Sequence, residues 1–164
     1  MGKIGIVMGS ASDLPVVKKA IETIEAFDVD YEVHVFSAHR TPVEAAEFAS
    51  KAKENGISVL IAAAGMAAHL AGALAARTTI PVIGIPCKSS VLDGMDALLS
   101  TVQMPSGIPV ACVAIDGATN AALLALEILA LSDEKLSDKL VEKRKKDYEK
   151  VLAADKEVTS EFHS

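Results

Sequence analysis

The sequence predicts one α/β domain, a three-layer sandwich in which helices cover both faces of a parallel sheet of about five strands. Three observations predict it. The chain has 164 residues, a length typical of a single domain with a full core. Hydrophobic residues make up 51% and aromatic residues 4%, so Ala, Val, Ile and Leu must form that core. Short apolar runs alternate with helical patterns, which is typical of a parallel sheet with crossover helices.

Composition also excludes several function classes. The net charge of −6 argues against a general nucleic-acid binder, although backbone amides and one Arg could still bind a small anion locally. No apolar run reaches the roughly 18 residues of a membrane span, and the chain begins directly with a strand, so we expect a cytoplasmic protein. Cys87 and Cys112 lie in or beside strand-like segments and are expected to be reduced, buried thiols.

The first predicted strand is the apolar run Lys3–Met8, and a loop of small residues, Gly9–Asp13, follows it. Pro15 suits the first turn of the next helix. A loop of this kind offers N–H groups and hydroxyls to an anion. The alternative is that Ser12 or Asp13 only caps the helix.

The second strand, over 29–35, alternates apolar and polar residues and should lie near an edge of the sheet. Thr41 and Glu44 fit a capping box for a helix that runs to Asn55-Gly56. The segment 37–40 is therefore the loop between strand and helix. It carries a hydroxyl, an imidazole and a guanidinium, although His39 alone could be a packed loop histidine.

The third strand, over 57–63, is apolar throughout and should be central and covered on both faces. The small residues of 64–70 permit close approach of the backbone to a ligand. His69 should stand at the start of a short helix ending near Ala76, where it is either a site residue or a surface histidine. The remaining predicted elements are a strand over 81–86, a helix over 92–101 and a strand over 110–115.

The end of the chain predicts contacts between subunits. The helix Ala118–Leu131 is apolar on all sides and must be buried, which in so small a domain suggests burial by other subunits. Residues 132–156 form a charged amphipathic helix that either covers its own domain or reaches onto a neighbouring subunit. We therefore divide the chain into a catalytic domain (1–131), a C-terminal oligomerisation helix (132–156) and a frayed tail (157–164).

The loops after the first three strands should meet, because the carboxyl ends of parallel strands share one edge of an open, flavodoxin- or Rossmann-like sheet. Arg40 and the first loop would hold an anion, and a histidine there could move protons near neutral pH. No Cys, His or Asp cluster has metal-ligand spacing. The residues alone predict a phosphosugar or nucleotide ligand and acid–base chemistry without a metal. The loop residues expected to converge are Ser10, Ser12, Asp13, Ser37, His39, Arg40 and His69.

Six motifs, in order between residues 3 and 131, resemble the PurE family of purine biosynthesis. They are Gly9–Asp13, Ser37–Pro42, Ala68–Leu70, Pro81–Pro86, Leu99–Val110 and Asn120–Ala125. The resemblance implies an enzyme that makes 4-carboxy-5-aminoimidazole ribonucleotide without a metal or organic cofactor. It also implies an octamer with active sites at subunit junctions.

The resemblance implies a role for each residue of this chain that matches a site residue of the family's motifs. Ser10, Ser12 and Arg40 would hold the phosphate, and Asp13 the ribose hydroxyls. His39 would be the general acid and base, with Ser37 beside it at the reacting end. The base and carboxylate pocket would be lined by Ser37, Ala64, Gly65, Met66, His69 and Leu70.

Two activities occur in the family. Carboxylases use 5-aminoimidazole ribonucleotide and CO2, whereas mutases move the carboxylate of N-carboxyaminoimidazole ribonucleotide from nitrogen to the ring carbon. Met66 and Ala71 replace a glycine and a proline of the mutase pattern, and the segment 115–120 looks shorter than its mutase counterpart. We therefore predict the direct carboxylase, with the mutase as the alternative. A non-catalytic nucleotide-binding module is the alternative of another class, and H39N would distinguish it because a sensor has no turnover to lose.

Overall fold

The computed structural model describes residues 2–162. Its sheet has the order β2-β1-β3-β4-β5, and every neighbouring pair is parallel. This is the flavodoxin-like order, in which the chain reverses direction across the sheet between β1 and β3, where such folds bind ligands. The predicted three-layer α/β fold is confirmed, with β2 at one edge. The strands are β1 (Lys3–Met8), β2 (Tyr31–Val35), β3 (Ile57–Gly65), β4 (Val82–Cys87) and β5 (Ala111–Cys112).

Helices cover both faces of the sheet. A short 3₁₀ turn, Ala11–Asp13, precedes α1. Alternate residues of the strands enter two separate cores, so Ile4 and Ile6 face α1 and α5, while Val7 and Leu60 face α2 and α3. This double burial explains why β1 and β3 read as continuous apolar runs. The helices are α1 (Leu14–Glu25), α2 (Pro42–Lys51), α3 (Leu70–Ala75), α4 (Met95–Val102), α5 (Ala118–Ala130) and α6 (Glu134–Phe162).

Gly84, in the middle of β4, allows α3 and α4 to pack closely on one face of the sheet. A Cβ at Gly84 would lie 2.4 Å from Cγ2 of Thr101 and 3.2 Å from Cβ of Ala71. Thr101 is itself buried, and its hydroxyl donates to the carbonyl of Ala97 at 2.7 Å. Any side chain at position 84 would therefore push α4 away from the sheet.

Three predicted boundaries were wrong because of local turns. β5 has two residues rather than the six of 110–115, since the chain turns away at Asp116 (φ 55°), whose N–H donates to the carbonyl of Pro86. α2 ends at Lys51, and turns lead from there to Gly56, whose φ is 78°. α4 begins at Met95 rather than 92, because Asp93 and Gly94 both have positive φ.

The last two helices also differ from expectation. Six of the thirteen residues of α5 are buried within the chain itself, in the core with α1, the sheet and Leu136 of α6. This buried face needs no second subunit, whereas Leu123, Leu124 and Ile128 are only partly buried. The tail predicted at 157–164 is wrong as far as the structure describes it, because α6 continues to Phe162; the rest of that tail lies outside the described residues. None of the helices described is long and apolar enough to cross a membrane.

Candidate active site

A cleft of about 580 Å³ lies at the carboxyl ends of the strands. Loops after β1, β2, β3 and β4 line it, on both sides of the point where the chain reverses across the sheet. The structure thus brings together every residue singled out from the sequence, while their chemical roles stay predictions. Those residues are Ser10, Ser12, Asp13, Ser37, His39, Arg40, Ala64, Gly65, Met66, His69 and Leu70.

The loop after β1 is held by a capping box around the 3₁₀ turn. The Ser10 hydroxyl oxygen accepts from the N–H of Ser12 at 3.3 Å and from the Ser12 hydroxyl at 2.9 Å. In return, Oδ2 of Asp13 accepts from the N–H of Ser10 at 3.1 Å. These bonds fix two hydroxyls and a carboxylate on one tight turn, and the Ser10 O–H remains available to donate to a ligand.

The loop after β2 is closed by bonds between Ser37 and Thr41. The N–H of Ser37 donates to Oγ1 of Thr41 at 2.8 Å, and the N–H of Thr41 donates to the Ser37 carbonyl at 2.9 Å. The predicted capping box between Thr41 and Glu44 is therefore wrong, because the Thr41 hydroxyl serves the loop rather than the helix. The Ser37 hydroxyl oxygen accepts from the N–H groups of His39 and Arg40 at 3.3 and 3.2 Å. This loop holds His39 and Arg40 in a fixed order along the cleft.

His39 and His69 meet across the cleft. Nε2 of His39 lies 2.9 Å from Nδ1 of His69, and the angle between the two ring planes is 71°. One of these nitrogens must donate and the other must accept, so the pair holds a single proton between the facing atoms.

Asp13 and Arg40 form the charged side of the cleft. Nη2 of Arg40 donates to the carbonyl of Gly9 at 3.2 Å, which ties the second loop to the first. Burial raises the pKa of Asp13, an effect that the Ser10 N–H and the Arg40 charge partly offset and that the negative charge of Asp116 reinforces. A half-buried carboxylate with unused acceptor capacity is suited to neighbouring hydroxyl groups.

The loop after β3 brings backbone close to the cleft. A Cβ at Gly65 would lie 3.3 Å from the carbonyl oxygen of Cys87, so only glycine fits there without displacement of β4. Met66 has a φ of 56°, a left-handed conformation that glycine adopts freely, and its side chain is 67% exposed. His69 then stands at the start of α3 as predicted, with its ring exposed toward His39.

The loop after β4 also lines the cleft, which was missed in the sequence. It contributes Lys88, Ser89 and Ser90. The rule that located the other three loops applies equally here, because β4 is parallel to β3 and lies next to it. Lys88, Ser89 and Ser90 form no recognisable motif, so no local sequence signal marks them.

The two cysteines of the chain lie outside the lining of the cleft, and neither belongs to a metal-binding cluster of the described residues. Cys87 and Cys112 are free thiols; Cys87 is buried as expected, whereas Cys112 is only partly buried. Burial raises the pKa of Cys87 to about 12, so this thiol behind the cleft stays protonated. Within residues 2–162, no group of three or more His, Cys, Asp or Glu side chains is arranged to hold a metal ion.

Comparison with known proteins identifies close relatives of this chain. A family model described as AIR carboxylase matches residues 3–150. The chain is 62% identical over 140 residues to the N5-carboxyaminoimidazole ribonucleotide mutase of Pyrococcus abyssi, covering 85% of this chain and 80% of that protein. It is 50% identical over 149 residues to the chloroplastic phosphoribosylaminoimidazole carboxylase of Vigna aconitifolia, covering 91% of this chain but 27% of that protein. The crystal structure of Treponema denticola PurE has a TM-score of 0.86, 27% identity and 99% coverage of both chains.

Proposed function

Because the chain belongs to the AIR carboxylase (PurE) family of purine biosynthesis, we propose that it forms 4-carboxy-5-aminoimidazole ribonucleotide by the mutase reaction. The substrate is then N5-carboxyaminoimidazole ribonucleotide, whose carboxylate moves from the exocyclic nitrogen to the ring carbon. The observation that carries this proposal is the 62% identity to a protein named as that mutase, over most of both chains.

The direct carboxylase, which the sequence motifs favoured, is the second candidate. It is supported by the 50% identity to the Vigna aconitifolia carboxylase. The chain matches only 27% of that protein, so the activity of the whole carboxylase transfers less readily than that of a mutase matched over 80% of its length.

Two departures from the mutase pattern, Met66 and Ala71, have little effect on the backbone conformation. Met66 keeps the left-handed conformation that a glycine at this position would adopt, and its side chain is mostly exposed. Ala71 lies in the first turn of α3, where a proline fits because the N–H there has no partner within the helix. Neither residue is therefore a physical argument against mutase activity.

In the proposed binding mode, the phosphate and ribose lie at the loops after β1 and β2, and the imidazole lies toward the loop after β3. Arg40 and the hydroxyls of Ser10 and Ser12 bind the phosphate, because a guanidinium and donors on a tight turn suit a dianion. Asp13 accepts hydrogen bonds from the ribose hydroxyls. The imidazole and its carboxylate then extend toward the loop after β3, where Ser37, Ala64, Gly65, Met66, His69 and Leu70 surround the reacting end.

His39 is the proposed general acid and base. As an imidazolium it protonates the exocyclic nitrogen while the N–C bond breaks and CO2 leaves. The ring carbon then attacks CO2, the new C–C bond forms, and neutral His39 removes the proton from that carbon. One proton is given and one is taken, so the enzyme returns to its starting state. His69, 2.9 Å away, supports this cycle by accepting or donating at the facing nitrogen.

We further propose that the protein is a cytoplasmic homo-oligomer, with the octamer of the family as the expected state. The support from this chain is α6, which carries exposed apolar residues from Val141 to Phe162. At about 100° per residue, these residues fall within about 120° of one helical face. They are Val141, Tyr148, Val151, Leu152, Val158 and Phe162.

The reaction class is tested by supplying each carboxyl donor separately. Purified enzyme is mixed with N5-carboxyaminoimidazole ribonucleotide in CO2-free buffer, or with 5-aminoimidazole ribonucleotide and bicarbonate, and the 4-carboxy product is measured. We expect efficient turnover of the N-carboxy isomer without added CO2. A higher kcat/KM with 5-aminoimidazole ribonucleotide and bicarbonate would establish the carboxylase instead.

H39N is the control for this experiment, because it removes the acid–base group while leaving the phosphate side intact. We expect turnover to fall by at least about 100-fold while ribonucleotide binding, measured by calorimetry, persists. Loss of binding together with turnover would assign His39 to the binding of the ligand. Full activity of H39N would refute its role as acid and base.

A further inference from the structure

We propose that Lys88, in the loop after β4, binds the carboxylate of the substrate and of the product. This inference rests on the proposed function, since it concerns the same ribonucleotide ligands. It assigns a task to the loop that sequence motifs did not identify. Lys88 lines the cleft, and its side chain is 60% exposed.

The position of Lys88 in the sheet places it beside the reacting end. Gly65 and Cys87 are register partners at the ends of β3 and β4, and the residues that follow them, Met66 and Lys88, both line the cleft. The Lys88 backbone is anchored there, because its N–H donates to Oδ1 of Asp116 at 2.9 Å. Lys88 is therefore fixed at the same end of the cleft as the loop that carries Met66 and His69.

Arg40 and Lys88 stand at opposite ends of the cleft. Arg40 bonds to the carbonyl of Gly9 just after β1, whereas Lys88 follows β4. Since β3 lies between β1 and β4, these two strands are separated by two interstrand distances, or about 10 Å. The ligand is a ribonucleotide with a phosphate at one end and a carboxylate on the base at the other. The separation of Arg40 from Lys88 therefore suits the separation of the phosphate from the carboxylate. With Arg40 on the phosphate, Lys88 on the β4 side meets the carboxylate.

The present partner of Lys88 is easily exchanged. Its ammonium lies 3.2 Å from Oδ1 of Asp93, and the two side chains are 60% and 80% exposed. Exposed ion pairs of this kind contribute little to stability. Asp93 has a φ of 52°, and the neighbouring Gly94 comes so close that a Cβ there would lie 3.2 Å from Cα of Lys88. Asp93 thus keeps the ammonium at the cleft until a carboxylate replaces it.

The test compares two ligands that differ only in the carboxylate. Calorimetry measures the Kd of 4-carboxy-5-aminoimidazole ribonucleotide and of 5-aminoimidazole ribonucleotide for the wild type and for K88M. Because K88M removes a charge-assisted hydrogen bond, we expect about tenfold weaker binding of the carboxylated ligand. Binding of the ligand without the carboxylate should be unchanged. K88R should retain most of the affinity.

K18M is the matched control, because Lys18 is an exposed lysine of α1 away from the cleft, and it should alter neither Kd. Equal weakening of both ligands by K88M would assign Lys88 to the phosphate and overturn the proposal. Unchanged binding of both would also overturn it. A wild-type protein that binds neither ligand would instead refute the proposed function, together with the role of Lys88.

Discussion

At the scale of single residues, Asp13 combines a role in the site with a cost to the fold. Burial raises its pKa, so the folded protein holds the Asp13 proton more tightly than the unfolded chain does. Protonated Asp13 therefore adds stability that is present below the unfolded pKa of about 3.9 and is lost as pH rises through the folded pKa. At neutral pH, the wild type keeps a partly buried charge, which the proposed role of Asp13 in binding the ribose requires.

We predict that D13N gains thermal stability relative to the wild type as the pH rises from about 4 to about 7. The amide oxygen of the substituted side chain still accepts from the N–H of Ser10, but the amide carries no charge to bury. Ribonucleotide binding should weaken about tenfold, because an amide oxygen replaces the carboxylate. Calorimetric unfolding over this pH range measures the difference, with D30N as a control at an exposed carboxylate. A difference that stays constant or shrinks with rising pH would contradict this account.

At the scale of elements, the loop after β3 stores backbone strain at Met66. A residue other than glycine with a φ of 56° costs about 1 kcal/mol. We therefore predict that M66G is more stable than M66A by about that amount, a reversal of the usual preference for alanine. Chemical denaturation of both variants measures the difference.

A67G is the matched control for the strain at Met66, because the φ of Ala67 is not positive. Glycine should destabilise that position by about 0.5–1 kcal/mol. If M66A proves as stable as M66G or more so, the loop carries no strain at this residue. The mutase pattern has glycine at position 66. Because neither M66G nor M66A carries the methionine side chain, comparing their stabilities measures the effect of backbone conformation alone.

Individual elements show which parts of the fold and of the site could be predicted from the sequence. The apolar runs of β1 and β3 predicted buried strands, and the shared edge of a parallel sheet predicted that the loops of His39 and His69 would converge; their direct pairing was found only in the structure. The Thr41 capping box failed because its hydroxyl had a competing partner in Ser37, which no local pattern reveals. Lys88 was missed because its loop carries no recognisable motif, although the parallel pairing of β4 with β3 brings it to the same edge of the sheet.

At the scale of the whole molecule, α6 is a long, polar helix that is mostly exposed in the single chain. Leu136 is its one buried residue within the described range, Arg144 still pairs with Glu127 of α5, and the described residues beyond Asp147 are all exposed. Its apolar face nevertheless continues to Phe162, which is 71% exposed. Contiguous exposed apolar surface of this kind marks an interaction site, and a second copy of the chain is the partner that the family resemblance implies.

We predict that Y148K combined with L152K lowers the oligomeric state without unfolding the domain. Both side chains are exposed, at 65% and 43%, so the monomer loses no core contact, whereas an interface would acquire two buried charges. Light scattering after gel filtration measures the mass, and circular dichroism checks the fold. A153K is the control, because Ala153 lies on the opposite side of the helix and a lysine there should leave the assembly intact. A wild-type monomer at micromolar concentration, or a double variant with the mass of the wild type, would rule out this face as the interface.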